Sequence, residues 1–186
     1  MLVYRVANTS WNVTGRSLAY SAKRLVEPII EKSLSSQFGG NYRMIIYKNT
    51  VEYAEHIALV KGDVSNGGPV LVRVHAVNVL GDILGESENN SADDLHRSME
   101  MIDEAERGVV VLIRETSLTA VSGVLEKGSA LGKVEGSWRD VGVGAQILLD
   151  LGVAEMILLS NVERAFVGLD GFGLRVVETR RIEGKR

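Results

Sequence analysis

Apolar residues recur along the chain at two spacings, and each spacing predicts a different element. Continuous or alternating apolar runs predict six strands, over residues 42–47, 56–61, 70–76, 108–113, 154–159 and 174–178. Apolar stripes at helical spacing predict three helices, over residues 91–107, 139–151 and 161–169. Residues 116–138 carry four glycines and a weak stripe, which indicates a loop with a short helix. The alternation of helices and strands after residue 91 predicts an α/β fold.

The N-terminal region carries an apolar stripe of its own. Leu18, Ala22, Leu25 and Ile29 recur near the helical period, which predicts a helix over residues 16–30. Residues 33–40 (SLSSQFGG) are typical of a turn-rich joint. We therefore expect a helical N-terminal arm or linker over residues 1–32, a globular domain over residues 33–180, and a loose charged tail over residues 181–186.

Composition narrows the class of protein. The 186 residues are 45% hydrophobic, which suits one domain with a real core. A net charge of −3 and 5% aromatic residues argue against a nucleic-acid partner. The absence of cysteine excludes disulfides, thiolate nucleophiles and zinc held by sulfur. No stretch has the length and apolarity of a membrane span, and the N-terminus lacks the pattern of a signal peptide, so we expect a cytoplasmic protein with no membrane partner.

Four segments, in order, carry a family resemblance. They read HIALVKGD at 56–63, VLVRVH at 70–75 followed by Gly81 and Asp82, RDVGVGAQILLDLGV at 139–153, and GLDGFGLRVVE at 168–178. Together they resemble the GTP cyclohydrolase II family of riboflavin biosynthesis, which opens the imidazole ring of GTP with a zinc ion held by cysteines. The resemblance implies a mixed sheet with flanking helices over residues 33–180, and a homodimer.

The family's three zinc cysteines have no counterpart here. The aligned positions hold Asn78, Asn89 and Ser91. A neutral amide or hydroxyl has neither the charge nor the softness with which a thiolate holds zinc. Without the metal there is no low-pKa water to attack the purine ring. The resemblance thus implies a degenerate member that has no zinc and no other cofactor.

Other positions of the family site are also changed. Asp94 stands where the family has a guanine-recognising glutamine, Ser137 replaces its catalytic aspartate, and Ala165 replaces a nucleotide-binding lysine. The family's essential arginine survives, as do one arginine of its phosphate loop and a late hydroxyl. The resemblance therefore implies a vestigial catalytic Arg139, and ligand-binding candidates at Arg73, His75, Arg114 and Ser160.

Each candidate also has a purely structural interpretation. Arg73 and His75 point to the same face of a strand, where they could be a remnant phosphate contact or a structural pair. The spacing of Ser91 and Asp94 favours a helix cap over a site. Ser160 stands at a strand-to-helix turn, where an ordinary N-cap is favoured over an anion site. Arg139 could pair with a neighbouring acid instead of a ligand.

Three functional hypotheses follow. The first is a structural or regulatory partner of dihydroxybutanone phosphate synthase, which in many members of the family forms the N-terminal half of a fusion. The second is a sensor that binds GTP or a phosphate metabolite. The third is a cyclohydrolase with residual metal-free activity, for which Asp82, Asp94 and His75 are the acid–base groups available. Whether the chain is an enzyme is left open.

Overall fold

The computed structural model describes residues 25–50, 54–86, 91–114, 121–122, 125, 138–161, 169 and 172–183. Within them lie seven strands: β1 (Val26–Ser36), β2 (Gly40–Asn49), β3 (Glu55–Lys61), β4 (Val70–Ala76), β5 (Gly108–Ile113), β6 (Glu155–Leu159) and β7 (Arg175–Arg180). Two α-helices with defined bounds accompany them, α1 (Ser91–Glu104) and α2 (Trp138–Asp150), with a short π-helical turn at Val79–Ile83. Residues 121, 122 and 125 are also helical, where a short helix is predicted. No helix in these ranges is long and apolar enough to cross a membrane.

All seven strands form one mixed sheet in the order β1-β2-β3-β5-β4-β6-β7. Strands β5, β4, β6 and β7 run parallel, whereas β1, β2 and β3 form an antiparallel meander attached to β5. The carboxyl ends of the four parallel strands therefore lie at one edge of the sheet, which we call the carboxyl edge. This sheet with flanking helices confirms the predicted α/β class.

Each face of the sheet is covered by one helix. On the α2 face, buried residues from six strands, among them Val72, Val111 and Met156, pack against Ile147 and Leu148 of the helix. The α1 face is held by a second cluster that includes Leu59, Leu71, Val110, Met99 and Ile102. Because side chains alternate along a strand, Leu71, Arg73 and His75 of β4 all lie on the α1 face.

The predicted N-terminal helix is wrong over residues 26–30, which belong to β1. This strand pairs with β2 along its whole length, from Val26 opposite Asn49 to Ser36 opposite Gly40. Its register shifts between Pro28 and Ile30, and an edge strand with a bulge accommodates proline. Tertiary pairing thus overrides a local pattern that reads equally well as a helix. Only residues 37–39 of the predicted joint form a turn, and residues 1–24 lie outside the described ranges.

The C-terminal segment is also better ordered than predicted. Ile182 is buried in the α1 cluster, and its N–H donates to Asn161 Oδ1 at 2.9 Å. Arg97 Nε of α1 donates to the carbonyl of Glu183 at 3.1 Å. Residues 181–183 are therefore docked on α1 rather than loose, because one apolar side chain within the charged tail has a place in the core.

Other predicted elements agree with the structure in type. The bounds of β4 and β5 are those predicted, and the remaining strands differ by at most a few residues at either end. Helix α1 ends at Glu104 instead of residue 107. The predictions for residues 162–168 and for most of 116–137 lie outside the described ranges.

Candidate functional site

The candidate residues gather at the carboxyl edge because parallel strands end there together. Arg73 and His75 lie in the second half of β4, Arg114 directly follows β5, and Ser160 directly follows β6. After β4 the chain turns through the π-helical segment at Val79–Ile83, which brings its polar residues back over the strand that precedes it.

Arg73 and His75 are in contact. The Arg73 guanidinium lies 3.4 Å from His75 Nδ1, and His75 Nε2 lies 2.9 Å from Asp82 Oδ2. A guanidinium can only donate, so Nδ1 accepts and the ring proton resides on Nε2, which donates to Asp82. The result is a chain of hydrogen bonds from the Arg73 guanidinium to the Asp82 carboxylate through an imidazole that is 2% exposed.

Asp82 accepts three hydrogen bonds. Besides His75, the main-chain N–H of Asn78 donates to Oδ2 at 2.8 Å, and the Ser91 hydroxyl donates to Oδ1 at 2.5 Å. Burial raises the pKa of Asp82, but the bonds from His75, Ser91 and Asn78 outweigh it and hold this pKa below its ordinary value. We call Arg73, His75, Asn78, Asp82 and Ser91 the Asp82 cluster.

A second carboxylate, Asp94, faces the cluster from the first turn of α1. Its Oδ1 accepts a hydrogen bond from Asn161 Nδ2 at 2.8 Å. Burial raises the pKa of Asp94 even though Arg73 and Asn161 favour the ionised form. Burial likewise lowers the pKa of Arg73, against the attraction of Asp94 and Asp82. Arg73 also donates to the carbonyl of Leu159 at 3.1 Å, which ties β4 to β6.

The residues at the family's metal positions do not fit zinc. Asn78 Oδ1 accepts from the Leu80 N–H at 3.0 Å, and its buried Nδ2, which has no partner among the described residues, is a donor that cannot bind a metal ion. The Ser91 hydroxyl is directed to Asp82. Within the described ranges, no three His, Cys, Asp or Glu side chains are grouped so that they could hold a metal ion. Asn89 lies outside those ranges.

The other candidates are less closely connected to the cluster. Arg114 is exposed, and its main-chain N–H donates to His56 Nδ1 at 3.2 Å. Ser160 is 9% exposed, and its N–H donates to the carbonyl of Arg180 at 3.0 Å. Arg139 lies in the first turn of α2, and its side chain is outside what the structure describes.

Three features of the site are not foreseen from the sequence. Ser91 is the first residue of α1 and binds Asp82, so it belongs to the cluster instead of serving simply as a cap. Asp82, which the sequence offers only as a possible acid–base group, organises the cluster by accepting three hydrogen bonds. The signal available for it is the Gly-Asp pair shortly after the Arg-x-His strand, which places a carboxylate within reach of the strand's polar face. Asn161, which links Asp94 to the C-terminal segment, gives no signal in the sequence.

Comparison with known proteins adds to this geometry. The family model described as GTP cyclohydrolase II matches residues 27–181. A "Riboflavin biosynthesis protein RibBA" of Phocaeicola vulgatus is 36% identical over 183 residues, covering 89% of this chain and 45% of that protein. A "Probable monofunctional riboflavin biosynthesis protein RIBA 3, chloroplastic" of Oryza sativa subsp. japonica is 36% identical over 181 residues, covering 86% of this chain and 33% of that protein.

Among solved structures, RibBX of A. baumannii, described as a two-domain 3,4-dihydroxy-2-butanone 4-phosphate synthase, is similar to this chain. It superposes with a TM-score of 0.58 at 27% identity, covering 88% of this chain and 41% of that one. The chain thus spans less than half the length of each of these relatives.

Proposed function

The chain belongs to the GTP cyclohydrolase II family, and from this premise we propose that it serves riboflavin biosynthesis as a zinc-free member without cyclohydrolase activity. Its role is that of a structural or regulatory partner of a dihydroxybutanone phosphate synthase, as a fused domain or a separate chain. The observation that carries the first part is the chemistry of the two described zinc positions, where Asn78 offers an amide whose oxygen accepts from the Leu80 N–H and Ser91 offers a hydroxyl that donates to Asp82. Neither side chain has the charge and softness with which a thiolate holds zinc.

The relatives support the proposed partner. One structural neighbour is a two-domain synthase, of which this chain covers 41%. The rest of that protein is where a synthase domain would lie. A domain that keeps its fold while its reaction is lost can still stabilise or tune the domain beside it. The proposal includes a cytoplasmic location and a homodimer. Light scattering on the purified chain would test the homodimer.

Metal content and turnover test the loss of activity. We expect the purified protein to contain far less than one zinc per chain by mass spectrometry of the metal, and to release no formate from GTP with or without added zinc. Stoichiometric zinc together with formate release would overturn the proposal. Formate release from metal-free protein would also overturn it, and would favour residual metal-free activity.

The partner role has a separate test. The synthase of the same organism is assayed for turnover and thermal stability with this chain present, either fused or added in equal amount, and with the chain absent. We expect the chain to raise the melting temperature of the synthase or to change its turnover, because binding to the folded form alone stabilises it. An unchanged melting temperature together with an unchanged rate would contradict the role.

A second candidate function is a sensor for a phosphate-bearing metabolite. The observation that favours it is Arg114, an exposed cation at the same edge of the sheet as Arg73 and Ser160. Calorimetric titration with GTP, flavin mononucleotide and ribulose 5-phosphate would test it. Binding that Arg114→Gln weakens and Arg175→Gln leaves unchanged would support the sensor, since Arg175 is equally charged but ion-paired with Glu155. The absence of heat with every ligand at millimolar concentration would eliminate it.

A further inference from the structure

The π-helical turn after β4 has its apolar side chains on the outside. Ile83 is 72% exposed and Leu84 is 70% exposed, with Val79 beside them at 42%. The inward residues are buried Gly81 and Asp82, whose carboxylate is 9% exposed and bound to the cluster. A surface turn ordinarily buries its apolar side and exposes its polar side, so this arrangement is inverted. We call Val79, Ile83 and Leu84 the turn patch.

The turn patch is held in a fixed conformation. Asn78 caps the start of the turn through Leu80, and the Leu84 N–H donates to the carbonyl of Val79 at 3.1 Å. Asp82, in the middle of the turn, is anchored by His75 and Ser91 from two other elements. Ordering side chains and loops on binding costs free energy, so an apolar surface that is already rigid is better suited to bind a partner.

The path of the chain points to the occupant. β1 starts opposite Asn49, the last residue of β2, and β2 runs in the same direction as β5. The polypeptide before Leu25 therefore enters at the carboxyl edge, where the turn patch lies. The strand order puts four strand spacings, about 19 Å, between β1 and β4. Twenty-four residues precede Leu25, and a fully extended chain of that length reaches at most about 80 Å, so a domain attached ahead of β1 is within reach of the turn patch.

We propose, as an extension of the proposed function, that the turn patch is the apolar centre of the surface that docks a dihydroxybutanone phosphate synthase domain. Three side chains do not make a whole interface, which needs about 800 Å² from each partner. They are suited to be its central anchors, surrounded by polar contacts such as those that exposed Asp93 can supply. In this arrangement Asp82 anchors the inner side of the turn to the cluster, and the anchored turn presents its apolar side chains to the partner.

Binding of the purified chain to the synthase of the same organism, added as a separate chain, tests the proposal. Wild type is compared by titration calorimetry with Ile83→Asp and Leu84→Asp, and with Val177→Asp as the matched control. Val177 is 41% exposed on β7, so it receives the same charge at a different place. We expect each patch variant to weaken binding at least tenfold and the control to bind like wild type. Ile83→Leu, which keeps the surface apolar, should also bind like wild type.

The outcomes separate this inference from the function on which it rests. If wild type binds and both patch variants bind equally well, the turn patch is not the docking surface, although the partner role stands. If wild type does not bind the synthase, the partner itself is wrong and the inference fails with it. If the patch variants instead dissociate a dimer of this chain, the occupant is a second copy and the proposal is overturned. Because Ile83, Leu84 and Val177 are exposed, we expect the variants to keep the melting temperature of wild type, which would show that they are folded.

Discussion

The two faces of the sheet carry different kinds of interior. The α2 face is largely apolar, although it also buries the polar side chains of Asn49 and His56, and its helix carries the segment that resembles the family almost letter for letter over residues 139–153. The α1 face is apolar only over part of its area, and at the carboxyl edge it buries the Asp82 cluster. The α2 face is stabilised by close packing of apolar side chains, so its structure is kept as long as those side chains fit together. The α1 face depends at the carboxyl edge on a few polar partners that must each find a hydrogen bond.

The largest effect is expected from breaking the α2 face. Leu148→Ala removes a side chain that is 1% exposed at the centre of the apolar cluster. The lost burial and the cavity together should lower the free energy of unfolding by about 3 kcal/mol. Urea denaturation measures it, with exposed Val177→Ala as the control, which should cost less than about 0.5 kcal/mol. A Leu148→Ala loss as small as that of the control would mean that the face is loosely packed.

A smaller loss is expected from neutralising the centre of the α1 face. Asp82→Asn keeps the shape but replaces an anion that accepts from His75, Asn78 and Ser91. We expect a loss of about 2 kcal/mol at pH 7. Since the folded-state pKa of Asp82 is lowered, its contribution is present above the unfolded pKa of about 4 and is lost as the pH falls through the folded value. Denaturation as a function of pH should therefore show the difference between variant and wild type shrinking in acid; a difference independent of pH would contradict this explanation.

A local effect is expected where the α1 face meets the C-terminal segment. Asn161→Ala removes the hydrogen bonds to Asp94 and to the Ile182 N–H. The cost should be about 1 kcal/mol, and amide exchange at Ile182 should accelerate more than exchange at Thr179 within β7. Equal acceleration at both amides would indicate a global loss of stability instead of release of the segment.

The smallest effect should have the opposite sign. Burial raises the folded-state pKa of Asp94, so this group favours folding below its unfolded pKa and loses that contribution as the pH rises through the folded value. Asp94→Asn should therefore stabilise the protein at pH 7, by less than about 1 kcal/mol, and the gain should vanish below about pH 4. Thermal unfolding at several pH values measures it. Destabilisation at pH 7 would show that the attraction between Asp94 and Arg73 outweighs the cost of burial.

The same contrast separates what the sequence predicts from what it does not. Strands β4 and β5 are predicted with their bounds because runs such as GVVVLI, buried on both faces, leave few alternatives. β1 is missed because residues 18–29 place apolar side chains at helical spacing, and its identity depends on β2, which pairs with it only in three dimensions. Local patterns thus suffice for the interior of the sheet and for the edge strand β7, and fail at the edge strand β1.

The site divides in the same way. That Arg73 and His75 share a face follows from the period of two along a strand. That Asn78, Asp82 and Ser91 meet does not follow from any local rule, because it depends on a π-helical turn and on where α1 begins. The family alignment identifies Asn78 and Ser91 as positions where the family has zinc ligands. The structure adds that both residues donate hydrogen bonds to Asp82.

The position of β4 in the sheet has a consequence for how the protein is made. β4 lies between β5 and β6, yet β6 comes long after both in the chain, at Glu155–Leu159. During synthesis at about 5–20 residues per second, β4 emerges several seconds before β6. Through that interval one side of the strand that bears Arg73 and His75 remains an open hydrogen-bonding edge, available to other nascent chains. The half-made protein thus exposes at β4 an edge that the finished sheet covers, and faster translation of residues 77–159 should raise its soluble yield.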